Sequence, residues 1–284
     1  MREMISRYAP APTGFLHLGH VVNAIYVWGF ARAHGGHVLL RIEDHDRQRS
    51  RPAFEAAIVE DLAWLGFRAD GPMVRQSDRG DIYSHALDTL RAQGSVYACS
   101  CSRADIANAN VARRFQPSDK GELWYPGTCR DRGLAERPGV GVRIRLEPTV
   151  ERFVDLRHGP QDQRPSEQCG DLLVRDRAGN WAYQFVATVD DYVQGVTHVI
   201  RGDDLLASTG RQIQLARLLG RVEPPTFLHH PLIMKSPTQK LSKSDGDSGV
   251  RDLRAKGWTA ADVINQAVAL AGLDLRNLLR EIAP

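Results

Sequence analysis

The chain predicts an α/β fold built on a parallel sheet, interrupted by a looser insertion and closed by a short helical tail. Three observations carry that expectation. Apolar strand-like runs alternate with helical runs over the first hundred residues, and the alternation returns after residue 170. Between them, residues 99–170 are rich in Arg, Gly, Pro and Asp. The 284 residues correspond to about two domains at ~150 residues each. Composition agrees: 42% hydrophobic and 25% charged residues sit near globular averages, which excludes a disordered chain, a collagen or a coiled coil.

The elements follow in order. MISRYAP (4–10) reads as a short strand running into a Pro-rich turn. Leu18 to Ala33 suits a helix that Gly35-Gly36 ends. HVLLRI (37–42) is a buried strand, followed by a charged run from Glu43 to Arg51. Pro52 opens a helix reaching Leu65, at a first-turn position that proline favours. A further helix covers Asp81 to Gln93. Within the insertion, Val142 to Leu146 is strand-like. Asp171 to Val174 and Val196 to Ile200 are strands, with the Gly179-Asn180 turn between them. Leu205 to Leu219 is a helix, and Phe227 to Met234 leads into a lysine cluster. Thr259 to Gly272 is helical behind a Thr N-cap. The partition is 1–98 for the first half of the α/β domain and 99–170 for the insertion. Residues 171–234 form the second half, and 235–284 the loop and tail.

Charge is informative in its distribution, not its sum. Lys plus Arg is 37 and Asp plus Glu is 34, so the net of +3 announces no nucleic-acid binder. Only five lysines stand against 32 arginines, yet Lys235, Lys240 and Lys243 lie together. Lysine contacts phosphate as a compact, flexible point charge. Four cysteines make no disulfide framework and suit a reducing compartment. The N-terminus has no apolar h-region, and no apolar run approaches the ~18 residues of a membrane span. A cytoplasmic location without membrane association is the expectation, with a monomer as the assembly state.

Two motifs suggest phosphate chemistry. In the first, a strand ends at Arg7-Tyr-Ala-Pro-Ala-Pro-Thr-Gly14, and His17-Leu-Gly-His20 opens a helix. A helix N-terminus offers unpaired N–H groups and partial positive charge. Gly19 permits close backbone approach, and two imidazoles three residues apart share a face. The plainer reading is that the histidines only cap the helix. The second is Lys240-Leu-Ser-Lys-Ser244 in a Gly-containing polar loop. Its lysines and hydroxyls can close on a triphosphate, and its plainer reading is a solvated basic loop.

Together, HLGH and KLSKS on an α/β chain resemble the two signatures of class I aminoacyl-tRNA synthetases. Arg7 to Gly14, Arg41-Ile-Glu-Asp-His-Asp46 and Val199-Ile-Arg-Gly-Asp203 are similar to the glutamyl/glutaminyl branch. Arg201 to Gln212 and Tyr125-Pro-Gly-Thr-Cys-Arg130, behind Cys99-Ser-Cys101, resemble its short glutamyl-Q tRNA(Asp) synthetase relatives. The match spans roughly residues 5–245. It implies a Rossmann-type catalytic domain with an inserted, zinc-containing acceptor-type domain and no anticodon-binding module.

The resemblance also implies roles. ATP with Mg²⁺ would be held by Pro12, Thr13, Gly14, His17, Gly19, His20, Lys240, Ser242 and Lys243. Of these, His17, His20 and Lys243 would act on the phosphates. L-Glutamate would lie among Arg7, Tyr8, Ala9, Pro10, Ala11, Glu43, Tyr183 and Arg201. Arg7 and Arg201 grip the carboxylates, Glu43 the ammonium, and Tyr183 lends a hydroxyl. An arginine grips a carboxylate bidentately and would be left unpaired by glutamine, which favours glutamate. Ala11 departs from the family's usual serine, so a substrate-facing hydroxyl is missing. Cys99, Cys101, Tyr125 and Cys129 resemble the family's structural Zn²⁺ site. Tyrosine lies outside the usual ligand set, so Cys169 or a histidine stands as an alternative fourth ligand.

The activity implied is ATP-dependent formation of glutamyl-adenylate without tRNA. Transfer to the queuosine base of tRNA(Asp) would follow. Three rivals stand beside it. An ordinary glutamyl-tRNA synthetase calls for about 150–200 further C-terminal residues. A related activating enzyme would use another acceptor, and a non-catalytic regulatory paralogue would show eroded ATP motifs. A dinucleotide-binding dehydrogenase is disfavoured, because Gly139-Val-Gly141 lacks the full fingerprint and its strand–helix setting.

Overall fold

The computed structural model describes residues 3–112, 123–236, 239–240 and 249–273. The chain begins β1 (Ile5–Tyr8), α1 (Leu18–Ala33), β2 (His37–Ile42), α2 (Pro52–Leu65), β3 (Val74–Arg75) and α3 (Gly80–Ala92). It continues through β4 (Val96–Cys99), α4 (Arg103–Ala112), β5 (Gly141–Ile144), β6 (Glu151–Asp155), β7 (Gly159–Gln163), α5 (Pro165–Gln168) and β8 (Leu172–Arg175). It closes with α6 (Tyr183–Val193), β9 (His198–Gly202), α7 (Thr209–Leu218), β10 (Thr226–His230), β11 (Met234–Ser236), β12 (Gln239–Lys240), α8 (Val250–Ala255) and α9 (Ala260–Leu270).

The expected parallel layer is present. β1 pairs parallel with β2, and β2 with β3. β9 pairs parallel with β10 over five residues. The Thr197 N–H donates to the Ile5 carbonyl at 2.9 Å, which seats β9 beside β1. Two sheets, β3-β2-β1 and β9-β10-β6-β7, therefore lie side by side across β1 and β9, with β6 parallel to β10 and β7 antiparallel at the edge. Such sheets bind ligands outside the carboxyl ends of their strands. Here those ends carry Arg7, Arg41 and Arg201.

Helix α1 is apolar nearly all round, so it must be covered on most faces. Val21, Val22, Ile25, Tyr26, Trp28 and Phe30 are buried, and α9 contributes Val263, Ala267 and Val268 to the same core. The Thr259 cap behaves as its sequence suggested, accepting from the Asp262 N–H. A second core joins Tyr83, Leu87 and Leu90 of α3 to Val142, Ile144, Val174, Phe185 and Val189.

Two segments differ from the reading of the sequence. Strand β8, expected to rejoin the parallel layer, pairs antiparallel with β5, which pairs antiparallel with β4. The β6–β7 hairpin was not foreseen, and it attaches to the parallel layer through β10. Its strands are short and rich in charged and amide side chains, so they lack the apolar run that marks a buried strand.

Candidate functional site

The HLGH motif does cap its helix. His17 is the N-cap of α1; its Nδ1 accepts the Gly19 N–H at 3.1 Å, and the His20 Nδ1 accepts the His17 N–H at 3.1 Å. The two rings lie 3.9 Å apart, centroid to centroid. With both Nδ1 atoms accepting, a neutral imidazole carries its proton on Nε2. Capping thus selects the tautomer that donates through Nε2, and the two readings of the motif are compatible. A Cβ on residue 19 would meet His17 Cε1 at 2.9 Å, so Gly19 leaves room for the folded-back ring.

The turn before the motif is pinned to the end of β2. The Glu43 N–H donates to the Pro10 carbonyl at 3.0 Å, and the Arg51 N–H to the Pro12 carbonyl at 3.0 Å. Thr13 N–H closes onto the Ala11 carbonyl at 2.9 Å. The chain that leaves the KLSKS loop returns to this place. Gly249 bridges His17, and the Val250 N–H donates to the Leu16 carbonyl at 2.9 Å. Ser242, Lys243 and the Lys240 side chain lie outside the described residues.

At the carboxyl ends of β1, β2 and β9 a buried ionic cluster forms. Arg7 donates through Nε to Asp191 Oδ1 at 2.9 Å and through Nη1 to the Ile200 carbonyl at 3.2 Å. Arg41, wholly buried, donates to Asp191 at 2.8 Å, Gln194 at 2.9 Å and Glu43 at 3.2 Å. Burial works against the Arg41 cation, but Asp191, Glu43 and Asp190 outweigh it and raise its pKa. Burial also works against the Asp191 carboxylate, but Arg7 and Arg41 overcome it and lower its pKa. Burial raises that of Glu43 despite Arg41.

Arg201 is arranged differently. It is 4% exposed and makes four hydrogen bonds, all to neutral acceptors. They are His229 Nε2 at 3.0 Å, Gln212 Oε1 at 2.6 Å, Thr209 Oγ1 at 2.9 Å and the Leu205 carbonyl at 3.3 Å. Among the described residues no carboxylate pairs with it, and burial pulls its pKa down to about 10. Tyr183, at the start of α6, feels the charges of Glu43, Arg201, Arg7 and Asp191, and burial pushes its hydroxyl up to about 12. The structure therefore places Arg7, Glu43 and Arg201 within electrostatic reach of Tyr183. A buried cation with no anion of its own is suited to receive one from a ligand.

The cysteines form a separate cluster. The sulfurs of Cys99, Cys101 and Cys129 all lie within 4.8 Å of one another, with Cys101 and Cys129 3.6 Å apart. Tetrahedral Zn–S bonds of ~2.3 Å put sulfurs ~3.8 Å apart, so the spacing fits. The Tyr125 hydroxyl is 3.3 Å from the Cys99 sulfur and 4.0 Å from that of Cys101. It thus lies against two of the three sulfurs. Cys169 points elsewhere, 3.2 Å from the Pro165 and Gly170 carbonyls. Burial raises the Cys129 thiol, but hydrogen bonds from the Ser100 backbone and side chain outweigh it and draw it down to about 6. Burial pushes Cys101 up to about 11. Between this cluster and Tyr183 lies a cavity of ≈ 950 Å³, lined by Cys99, Cys101, Arg143, Asp171, Tyr183 and Gln184.

Residues 3–280 match the model of the class I tRNA synthetase family, E and Q branch, catalytic domain. A Rhodobacter capsulatus protein named glutamyl-Q tRNA(Asp) synthetase is 41% identical over 274 residues. The alignment covers 92% of this chain and 98% of that protein. The chain belongs to the glutamyl-Q tRNA(Asp) synthetase family. A Bordetella bronchiseptica member is 46% identical over 243 residues, covering 85% of this chain and 75% of its own. A solved glutamate tRNA ligase from Elizabethkingia meningosepticum, in complex with its amino acid, superposes with a TM-score of 0.73 at 29% identity. That superposition covers 90% of this chain and 54% of the ligase. The α/β class I catalytic fold is thereby established, and no described helix is long and apolar enough to cross a membrane.

Several residues that build this cluster carry no clear signal in the sequence. Asp191, Gln194 and His229 were not singled out, and Arg41 and Gln212 entered only as parts of motifs. One signal was available for Asp191: it stands eight residues after Tyr183, the spacing that shares a helical face.

Proposed function

We propose that this chain activates L-glutamate with ATP and passes the glutamyl group to tRNA(Asp) carrying queuosine. The observation that carries the amino-acid assignment is the Arg201 cage. A buried guanidinium held, among the described residues, only by neutral acceptors suits a carboxylate side chain. Glutamine would leave that cation without a counter-charge, which costs several kcal/mol, on the order of 3–5. Arg7, Glu43 and Tyr183 complete the pocket, with Glu43 facing the substrate ammonium.

In the first step an α-carboxylate oxygen of glutamate attacks the α-phosphorus of ATP. The bond to the β-phosphate oxygen breaks, giving glutamyl-adenylate and pyrophosphate. Charge grows on the phosphate oxygens. His17 and His20, held as Nε2–H donors by their caps, meet it beside the α1 N-terminus, with Gly19 and the Pro12–Gly14 turn lining the approach. Mg²⁺ accompanies ATP as part of that substrate. The family resemblance implies Lys240, Ser242 and Lys243 as further phosphate contacts, from the loop that precedes Gly249, which bridges His17. In the second step a hydroxyl of the queuosine base attacks the acyl carbon, its proton leaves, and AMP departs.

The cysteine cluster suits Zn²⁺, with Cys99, Cys101, Tyr125 and Cys129 as the four holders. A metal there would be structural, cross-linking the end of β4 to the 125–129 turn, in the segment 99–170 assigned as the insertion. Glutamate-dependent ATP–pyrophosphate exchange without tRNA tests the activation step. The account expects exchange with glutamate and little with glutamine; no exchange above background contradicts it.

A further inference from the structure

Arg201 is aimed by a second residue and a third. Its Nε–H donates to His229 Nε2 at 3.0 Å. On the other side of that ring, Nδ1 lies 2.7 Å from Asp155 Oδ2, and both side chains are wholly buried. Asp155 also receives the His229 backbone N–H at 3.1 Å on the same oxygen, and the Arg157 and His158 N–H groups, each at 3.0 Å, on the other. Four donors converge on one carboxylate, a setting that keeps it ionised.

We propose that Asp155 and His229 are positioning residues for Arg201: the carboxylate holds the imidazole proton on Nδ1, so Nε2 must accept, and that acceptor orients the guanidinium toward the acidic side chain of the substrate. This deepens the glutamate reading given above and rests on it. The arrangement has a logic beyond a simple ion pair. Were Asp155 in direct contact with Arg201, the cation would be neutralised within the protein, and the site would lose its preference for a charged ligand. A neutral imidazole between them transmits orientation while leaving the guanidinium without a carboxylate partner among the described residues. The neutral ring is also what the burial of His229 favours. Thr209 shares the design, since its hydroxyl lies 2.9 Å from Arg201 Nη2 and 3.3 Å from His229 Nε2.

Residue 155 sits on β6 and residue 229 on β10, where the hairpin meets the parallel layer. The hairpin edge thus has a task that its sequence does not advertise: it brings a carboxylate under the substrate-binding arginine.

Two amide substitutions separate positioning from bulk structure. His229→Gln places an amide oxygen near the Nε2 position and retains an acceptor for Arg201. His229→Asn retains only the group facing Asp155. Both are assayed by glutamate-dependent ATP–pyrophosphate exchange, alongside the unaltered chain. His229→Asn is expected to raise the KM for glutamate at least about tenfold, as loss of a hydrogen bond to a charged group does. The KM for ATP should stay within about threefold, and discrimination against glutamine should fall. His229→Gln should recover most of the glutamate affinity. Asp155→Asn serves as an independent variant. Its amide must turn an N–H toward either the turn or the ring, so it should also raise the glutamate KM selectively. If the unaltered chain exchanges with glutamate but the two His229 variants behave alike, or the glutamate and ATP constants move together, the positioning role is overturned. If the unaltered chain shows no exchange, the glutamate reading falls and this inference with it.

Discussion

Gly170 offers a sharp test of the cysteine cluster, because one methyl group there should dismantle it. Its φ is +67°, a region that costs an L-residue about 1–2 kcal/mol. The larger effect is steric. A Cβ would stand 2.0 Å from the Tyr125 carbonyl oxygen and 2.8 Å from its carbon. Relief to 3.0 Å calls for a movement of about 1 Å in the backbone of Tyr125, whose N–H is tied to the Cys169 carbonyl. Metal ligands tolerate only about 0.2 Å. The Tyr125 hydroxyl should therefore leave the sulfurs it now faces. Gly159→Ala is the control, since φ is +69° there and nothing lies within 4 Å of the new methyl. We expect Gly159→Ala to lose about 1–2 kcal/mol from backbone strain alone. Gly170→Ala should lose at least about 2 kcal/mol more, lowering the Tm by at least about 4 °C beyond the control. Its zinc content should fall well below about one ion per chain. A Gly170→Ala protein that melts with the control and keeps full metal would refute this reasoning.

Two further predictions concern charge. Arg201→Gln should raise the glutamate KM on the order of 100-fold, corresponding to about 3 kcal/mol, with the KM for ATP within about threefold. The same change should leave the Tm equal or higher, because it removes a buried cation that no described carboxylate balances. Asp61 on α2 is buried, neither of its oxygens has a hydrogen bond among the described residues, and Arg251 Nε lies 3.5 Å away. Burial lifts its pKa from 3.8 to about 6. The folded state thus holds an extra proton between about pH 4 and 6, and stability falls as pH rises through that window. Asp61→Asn should therefore be more stable than the parent by about 1–3 kcal/mol at pH 7.5 and equal to it near pH 4, read by denaturant unfolding at both pH values.

The legible parts of this chain were those governed by local rules. The helices at 18–33 and 52–65 and the strand at 37–42 follow from apolar periodicity and from Pro52 and the Gly35-Gly36 stop, and they begin and end where those signals stand. The capping role of Thr259 was equally local. What escaped the sequence was pairing at long range. β8 looks like any short apolar strand, and only its partner β5 makes it antiparallel. Asp155 and His229 are 74 positions apart and share no motif, yet they meet at 2.7 Å. The same limit applies within the pocket. Arg7, Glu43 and Arg201 were singled out because short motifs carry them, and Tyr183 because the family resemblance implies it. The residues that hold them, Asp191 among them, are ordinary helix residues until the sheet and helices close.

The central claim, transfer of glutamate to a queuosine-bearing tRNA, is tested most directly by labelling. Purified chain is incubated with ATP and labelled glutamate, together with bulk tRNA from cells that make queuosine or from cells that cannot. The account predicts stable label on tRNA(Asp) from the first pool and none above background from the second. Equal labelling of both pools would contradict it.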